Sequence, residues 1–225
     1  MIRSGRVHVN GECVKLADSK VNPDEDEVKL DGEILEYHQF RYFAMDKPTG
    51  VVTASEDRQQ RTVLDLLPPE LRHLNLFPVG RLDKDTSGLL LLTNDGKFAH
   101  KVISPKAEIE KKYYAVTEGT PDFKDVAAFQ NGLILRDGLK CLPADLEVSG
   151  ENKCFVTVRE GKYHQVRRML AAVGKPVLEL RRISVGGLLL ENLDFSDGVC
   201  ELSQEQLSSV FSGNTQKTKA LQADI

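Results

Sequence analysis

Short stretches of alternating or wholly apolar residues dominate the pattern along the chain, and they predict strands more often than helices. One uninterrupted apolar run, residues 89–92, consists of four leucines. Together with its neighbours it predicts a strand over residues 88–93 that is buried on both faces. Similar runs rich in β-branched and aromatic residues predict strands at residues 42–45, 51–54, 111–117, 142–148, 154–159, 177–185 and 188–190.

Helical periodicity is confined to short segments between these strands. Four apolar residues in the segment 163–173 recur at helical spacing and predict one buried stripe: Val166, Met169, Leu170 and Val173. Thr120, followed by Pro121, predicts the N-cap of another helix that runs to about residue 130. Shorter helices are predicted at residues 61–67, 94–102 and 204–211. Strands and helices in this mixture predict an α+β fold whose central sheet is mixed or mainly antiparallel.

Two hairpin signals set the first forty residues apart. Asn10-Gly11 and Asp31-Gly32 each stand between short alternating stretches, and such dipeptides favour two-residue hairpin turns. We therefore predict a small N-terminal unit with its linker at residues 1–38 and a main domain at residues 39–212. The polar residues 213–225 are predicted to be a flexible tail.

Composition excludes several classes of protein. A membrane span needs about 20 apolar residues in a row, so we expect no contact with a membrane, and the N-terminus lacks the apolar region of a signal peptide. The four cysteines, Cys13, Cys141, Cys154 and Cys200, are widely scattered. Disulfide frameworks and zinc sites need clustered cysteines, so the chain is expected to be a cytoplasmic protein with free thiols.

Charge is distributed unevenly, although the net charge is only −4. Residues 18–36 contain eight acidic residues against two lysines, whereas residues 159–182 contain seven basic residues against two glutamates. Such asymmetry directs a polyanion to one face of a protein. We therefore predict that residues 159–182 line the cleft that holds the functional site.

The densest group of polar residues lies just before the leucine run, at residues 78–96. Asp83 and Asp85 are two residues apart and could together hold a cation. A similar pair opens the haloacid-dehalogenase phosphatases, which makes a Mg²⁺-dependent hydrolase one alternative. That family requires an apolar strand before the first aspartate, and Gly80-Arg81-Leu82 stands there instead. A solvated turn is the structural alternative.

Two further segments bear on function. Lys111 and Tyr113 are expected on one face of a strand, an arrangement that single-stranded RNA binders use to hold a phosphate and stack a base. Arg167 and Arg168 flank the apolar stripe near the start of the helix predicted at 163–173. His164 has no cysteine, histidine or acidic neighbour at metal-ligand spacing, so a hydrogen-bonded structural histidine is expected there.

These segments, in this order, resemble a pseudouridine synthase of the RsuA type, the small-subunit ribosomal RNA branch. The resemblance covers roughly residues 40–210 and is carried by K-P-T-G at 47–50, G-R-L-D-K-D-T-S-G-L-L-L-L-T-N-D-G at 80–96, S-P at 104–105, E-K-K-Y at 110–113 and G-K-Y-H-Q-V-R-R-M at 161–169. Residues 2–11, I-R-S-G-R-V-H-V-N-G, resemble the second half of an S4 RNA-binding domain. A partial S4-like unit is therefore expected at residues 1–38.

The resemblance implies a reaction and a set of site residues. Such enzymes break the N-glycosidic bond of a uridine, turn the base and rejoin it through carbon, and neither a cofactor nor a metal is expected. Asp83 matches the essential carboxylate, Arg167 the arginine that pairs with it, and Tyr113 the tyrosine that packs on the uracil. Whether Asp83 attacks the sugar or the base stays open. The predicted RNA-binding residues are Arg81, Lys47, Lys111, Arg168, Arg181 and Arg182.

The resemblance also implies the partners. The expected substrate is small-subunit ribosomal RNA or a precursor ribosomal particle, and the protein is expected to be a monomer. A non-catalytic RNA-binding assembly factor is the second alternative, because it would keep the basic face without using Asp83 for chemistry.

Overall fold

The chain forms two compact units, Met1–Phe40 and Arg41–Ile225. A computed structural model describes residues 1–213 except Asp24, Glu36 and Asp197. The division between the units falls after Phe40, whereas the sequence predicted it after residue 38. The predicted tail lies outside the described residues apart from Gly213.

The N-terminal unit is a small antiparallel sheet made of two hairpins. Its four strands are β1 (Val7–Val9), β2 (Glu12–Val14), β3 (Val28–Leu30) and β4 (Glu33–Ile34), in the order β2-β1-β3-β4. Both residues of each predicted turn have a positive φ: 51° and 85° at Asn10-Gly11, and 54° and 89° at Asp31-Gly32. Asparagine, aspartate and glycine tolerate this conformation best, and the two predicted hairpins are confirmed.

A nine-stranded sheet forms the centre of the larger unit. Its strands are β5 (Tyr42–Lys47), β6 (Phe77–Val79), β7 (Thr86–Thr93), β8 (Lys111–Thr117), β9 (Asp145–Gly150), β10 (Lys153–Val158), β11 (Val177–Val185), β12 (Leu188–Leu189) and β13 (Cys200–Glu201). The main order is β13-β5-β7-β11-β8-β10-β9, with β6 added to β7 and β12 to β11. Among the described strands only β7 and β11 pair in parallel. The predicted α+β fold with a mixed, mainly antiparallel sheet is confirmed.

Strand β7 is the hydrophobic centre of this sheet. Leu89 and Leu91 pack into one buried cluster, and Leu90 and Leu92 pack into another on the opposite face. Successive side chains of a strand point to opposite faces, so an unbroken leucine run is what a strand covered on both sides requires. The prediction of a doubly buried strand is confirmed.

Four helices cover the sheet in the described part of this unit. They are α1 (Gly96–Ile103), α2 (Phe123–Asn131), α3 (Gln165–Ala172) and α4 (Gln204–Ser209). In α3 the predicted apolar stripe is buried at Val166, Met169 and Leu170. Helix α2 begins two residues later than predicted: Asp122 caps it by accepting hydrogen bonds from the amides of Lys124 and Asp125. The Thr120 hydroxyl donates to Asn152 instead.

Residues 48–76 depart furthest from the predicted elements. The strand predicted at 51–54 is only an isolated bridge between Val52 and Thr62. The helix predicted at 61–67 is a 3₁₀ turn at Leu64–Leu66, and a second such turn follows at Pro69–Leu74. Strand β6 was not predicted, because Pro78 lacks an amide hydrogen and lowers strand propensity. The proline is tolerated there because β6 pairs with β7 alone, so its other edge needs no amide donors.

Gly88 allows β7 and β11 to approach closely. Its φ is 102°, and a Cβ atom at this position would lie 2.2 Å from the carbonyl oxygen of Arg182. The absence of a side chain therefore lets the parallel pair form directly beside the loop that precedes β7. No helix in the described residues is long and apolar enough to cross a membrane.

Candidate active site

A cleft of about 530 Å³ opens on one side of the larger unit. Its walls come from the loop between β6 and β7, from β8 and β11, and from the segment that leads into α3. Two carboxylates line it, Asp83 and Glu160. Five cationic side chains line it as well: Arg81, Lys111, Lys162, Arg167 and Arg182. The cleft therefore carries an excess of positive charge and suits an anionic ligand.

The loop that carries Asp83 is fastened to the neighbouring chain by its backbone. The Thr53 hydroxyl donates to the carbonyl of Leu82 at 2.7 Å and accepts from the Leu82 amide at 3.2 Å. The Gly50 amide donates to the carbonyl of Lys84 at 2.8 Å, and the Thr86 amide donates to that of Asp83 at 3.1 Å. The loop thus presents the Asp83 side chain from a fixed backbone.

Lys47 also holds this loop, and the prediction that it contacts RNA is wrong. The side chain lies at the end of β5 and is fully buried. Its ammonium group donates to the carbonyls of Pro48 (3.0 Å), Asp83 (3.1 Å) and Thr86 (2.9 Å). Burial lowers the pKa of Lys47 to about 8, although the carboxylates of Asp83 and Asp85 act in the opposite direction. A cation enclosed by carbonyls cannot reach a phosphate.

The carboxylate of Asp83 faces the imidazole of His164. The distance from His164 Nε2 to Asp83 Oδ1 is 3.3 Å, and the exposed fractions of the two side chains are 39% and 27%. Both residues line the cleft. The sequence predicted only a structural histidine at 164, since its partner lies in a distant part of the chain.

The predicted ion pair between Arg167 and Asp83 is wrong. Arg167 Nη2 lies 3.0 Å from the main-chain oxygen of Asp85 and 3.3 Å from its Oδ2. Among the described residues, no ion pair joins Arg167 to Asp83. His164 immediately precedes α3, and Arg167 lies in the first turn of that helix. The histidine reaches Asp83, whereas the arginine reaches Asp85.

Lys111 and Tyr113 lie on one face of β8 and line the cleft, as predicted. Tyr113 is half-buried and also packs against two hydrophobic clusters. Burial and, to a smaller extent, the neighbouring charge of Arg182 together lower the pKa of Lys111 to about 8. Two cations thus lie side by side in the cleft with no carboxylate among the described residues to offset the Lys111 charge.

The remaining predicted RNA contacts are arranged in different ways. Arg81 is exposed and lines the cleft. Arg182 also lines it, but only 5% of this residue is exposed, and its Nε donates to the carbonyl of Leu89 at 2.7 Å. Arg168 pairs with Asp137 and Arg181 pairs with Asp46, each at 2.5 Å. The basic stretch 159–182 therefore reaches the cleft through only some of its members: Lys162, Arg167 and Arg182.

The arrangement of the two aspartates does not favour a shared cation. Asp85 already accepts from the guanidinium of Arg167, whereas Asp83 faces His164. The described residues contain no group of three histidine, cysteine, aspartate or glutamate side chains placed to hold a metal ion.

Comparison with known proteins assigns the family. The family model for RNA pseudouridylate synthase matches residues 41–172. The chain is 40% identical to the RNA pseudouridine synthase YtzG of Bacillus subtilis (strain 168), over 92% of this chain and 88% of that protein. It is 39% identical to ribosomal small subunit pseudouridine synthase A of Escherichia coli (strain K12), over 93% and 90%. A crystal structure of a pseudouridylate synthase superposes with a TM-score of 0.70 at 34% identity, covering 93% of this chain and 90% of that one. This protein belongs to the RNA pseudouridylate synthase family.

Proposed function

We propose that this enzyme converts a uridine of small-subunit ribosomal RNA to pseudouridine, with Asp83 as its catalytic carboxylate. One observation carries the proposal: Asp83 is a partly buried carboxylate on a rigid loop, in a cleft lined by five cationic side chains. The relatives named as small-subunit enzymes support the choice of RNA.

The reaction is an internal rearrangement that leaves the composition of the nucleotide unchanged. The bond from the base nitrogen N1 to the sugar breaks, the uracil turns, and a bond from C5 to the sugar carbon forms. C5 then loses its proton and N1 gains one, so the composition is unchanged. No electron donor or acceptor is needed. An ionised Asp83 acts as the nucleophile or stabilises the developing positive charge on the sugar.

In this proposal Tyr113 holds the uracil. It lines the cleft from strand β8 and lies on the same face of that strand as Lys111. An aromatic ring in this position offers a stacking surface, which contributes about 1–3 kcal/mol per base in single-strand binders. The target base must leave its own stack to reach Asp83, as in other enzymes that act on a flipped base.

Lys111, Arg81 and Arg182 supply the charge that binds the RNA backbone. Each lines the cleft, and Lys111 and Arg182 lie close enough for the charge of one to lower the pKa of the other. A phosphate between them would relieve this repulsion. Phosphate contacts also predict that affinity falls as salt rises, with a slope of about −0.7 per contact for single strands.

Pseudouridine mapping after incubation with unmodified small-subunit RNA or precursor particles tests the proposal. The wild type is expected to modify one uridine, while Asp83→Asn is expected to form no pseudouridine and to bind RNA with unchanged affinity. Asp85→Asn is the matched control, because its carboxylate is mostly exposed and only supports the loop. Asp85→Asn is expected to keep most of the turnover.

Other outcomes would support the alternatives. An assembly factor without catalysis would form no pseudouridine and would not respond to Asp83→Asn. A metal-dependent hydrolase would lose its activity on addition of a chelator, whereas the proposed reaction would continue.

We also propose that the N-terminal unit, Met1–Phe40, contributes RNA contacts as a partial S4-like module and that the enzyme is a cytoplasmic monomer. The similarity of residues 2–11 to an S4 domain supports the first part, and the scattered free cysteines support the location. Replacing Arg3 and Lys15 by glutamine in the full chain should weaken RNA binding without changing turnover at saturation. Sedimentation of the free protein tests the monomer.

A further inference from the structure

We propose that His164 is the positioning residue for Asp83, and that its imidazole, clamped by Tyr163, orients the carboxylate for reaction. The inference rests on the proposed function, because it assigns a role within the same site. It departs from the pairing that the sequence predicted, in which an arginine would hold this carboxylate.

The first observation is the contact itself. His164 Nε2 lies 3.3 Å from Asp83 Oδ1, within ion-pair distance. Contacts of this kind in a free active site tighten into aligned hydrogen bonds when substrate binds, and we assign that role to the Nε2–H of His164. Arg167 is committed to Asp85. The start of α3 therefore holds the catalytic loop at two adjacent points, the histidine at the carboxylate and the arginine at the backbone.

The second observation is the backbone of His164, which adopts φ 48° and ψ 34° just before α3. This left-handed conformation is uncommon for residues other than glycine. Surrounding hydrogen bonds maintain it: the Gln165 amide donates to the carbonyl of Lys162 at 3.2 Å, and the Arg168 amide donates to that of His164 at 3.0 Å. Gln165 Oε1 also accepts from the Lys162 amide at 3.0 Å. Strained backbone held in this way is typical of functional sites.

The third observation is the aromatic clamp. The rings of Tyr163 and His164 are stacked, with centroids 3.9 Å apart and an angle of 17° between their planes. Tyr163 is 69% exposed and lines the mouth of the cleft. A large exposed ring on one face of the imidazole limits its rotation. The imidazole therefore keeps its edge, and not its face, towards Asp83.

The consequence concerns the free oxygen of Asp83. A hydrogen bond from His164 to Oδ1 would hold one oxygen of the carboxylate and leave Oδ2 available for the sugar or the base. Loss of this bond should slow the chemical step without weakening RNA binding, since His164 is not needed to contact a phosphate. Preorganised groups of this kind act on kcat.

Two substitutions separate the hydrogen bond from the backbone conformation. His164→Asn tolerates the left-handed conformation well but is too short to reach Asp83. His164→Gln places an amide N–H at about the distance of Nε2. We expect His164→Asn to lower kcat about ten- to hundredfold, the effect of one hydrogen bond to a charged group. KM and RNA affinity should stay within about twofold of the wild type, whereas His164→Gln should recover most of the lost kcat.

Tyr163→Leu provides a second test. Because the ring is exposed, this substitution should not destabilise the fold. It removes the clamp and is expected to lower kcat by about threefold, less than His164→Asn, because the hydrogen bond remains possible. Wild-type kcat in His164→Asn would overturn the inference, as would equal losses in the asparagine and glutamine variants. If the wild type itself formed no pseudouridine in any RNA tested, the proposed function would fail instead, which distinguishes the two results.

Discussion

The ammonium group of Lys47 lies 3.1 Å from the main-chain carbonyl of Asp83 and 2.9 Å from that of Thr86. A buried cation thus connects the end of β5 to both ends of the turn that leads into β7. The carbonyl dipoles replace the water that the ammonium group lost on burial. The position of Asp83 therefore depends on a lysine that no substrate can reach.

Lys47→Met is expected to destabilise the protein and to reduce turnover. It leaves buried carbonyls without a donor, and each such group costs about 1–3 kcal/mol. The matched control is Lys84→Met, because Lys84 is exposed and only donates to Gln60. Urea unfolding and single-turnover assays measure the two effects. Equal stability of the two variants would contradict the role assigned to Lys47.

The lowered pKa of Lys111 leads us to expect that RNA affinity depends on pH. Its pKa is lowered to about 8, first by burial and then by Arg182. A bound phosphate favours the protonated form, so deprotonation of the free enzyme above pH 8 should weaken binding. Affinity is expected to fall about tenfold between pH 7 and pH 9. In Lys111→Arg, which stays protonated, the fall should disappear. The same fall in both proteins would assign it to the RNA or to another group.

Gly88→Ala should severely destabilise the larger unit. A Cβ atom there would lie 2.2 Å from the Arg182 carbonyl oxygen, at a φ of 102°. Overpacking of this kind costs about 3 kcal/mol or more, and the loss would be seen as a lower midpoint of urea unfolding. Gly96→Ala is the control, because no atom lies within 4 Å of its Cβ position. It should be neutral or stabilise α1 by up to about 1 kcal/mol.

Arg167→Met should cost little stability but much activity. The Arg167 side chain is only 18% exposed, but that of Asp85 is 69% exposed. Water therefore screens the carboxylate, and ion pairs screened in this way contribute about 0–1 kcal/mol. The hydrogen bond to the Asp85 carbonyl is lost as well, so we expect Arg167→Met to lower the free energy of unfolding by about 1–2 kcal/mol. Turnover should fall because the loop loses one of its two attachments to α3. Arg168→Met, whose partner Asp137 is on the surface, should keep normal turnover. A loss of 3–5 kcal/mol in Arg167→Met would instead indicate a buried charge pair.

Local periodicity in the sequence was enough to predict the elements that carry the site. The leucine run of β7 predicted a strand covered on both faces, because side chains alternate along a strand. The same rule placed Lys111 and Tyr113 on one face of β8. The motifs that contain Asp83 and Arg167 identified the family, and the family model that matches residues 41–172 confirms it. Where such patterns were weak, as at Pro78 in β6, the element was missed.

The partners of these residues were decided only by the tertiary structure. Lys47 is buried and donates to main-chain carbonyls. Asp83 contacts His164, and Arg167 contacts Asp85. Each of these contacts joins segments that are far apart in the chain. Their geometry depends on how β5, β7 and α3 pack against one another, and no local pattern records it. The sequence by itself therefore determined which groups the site contains, whereas packing determined which group each one touches.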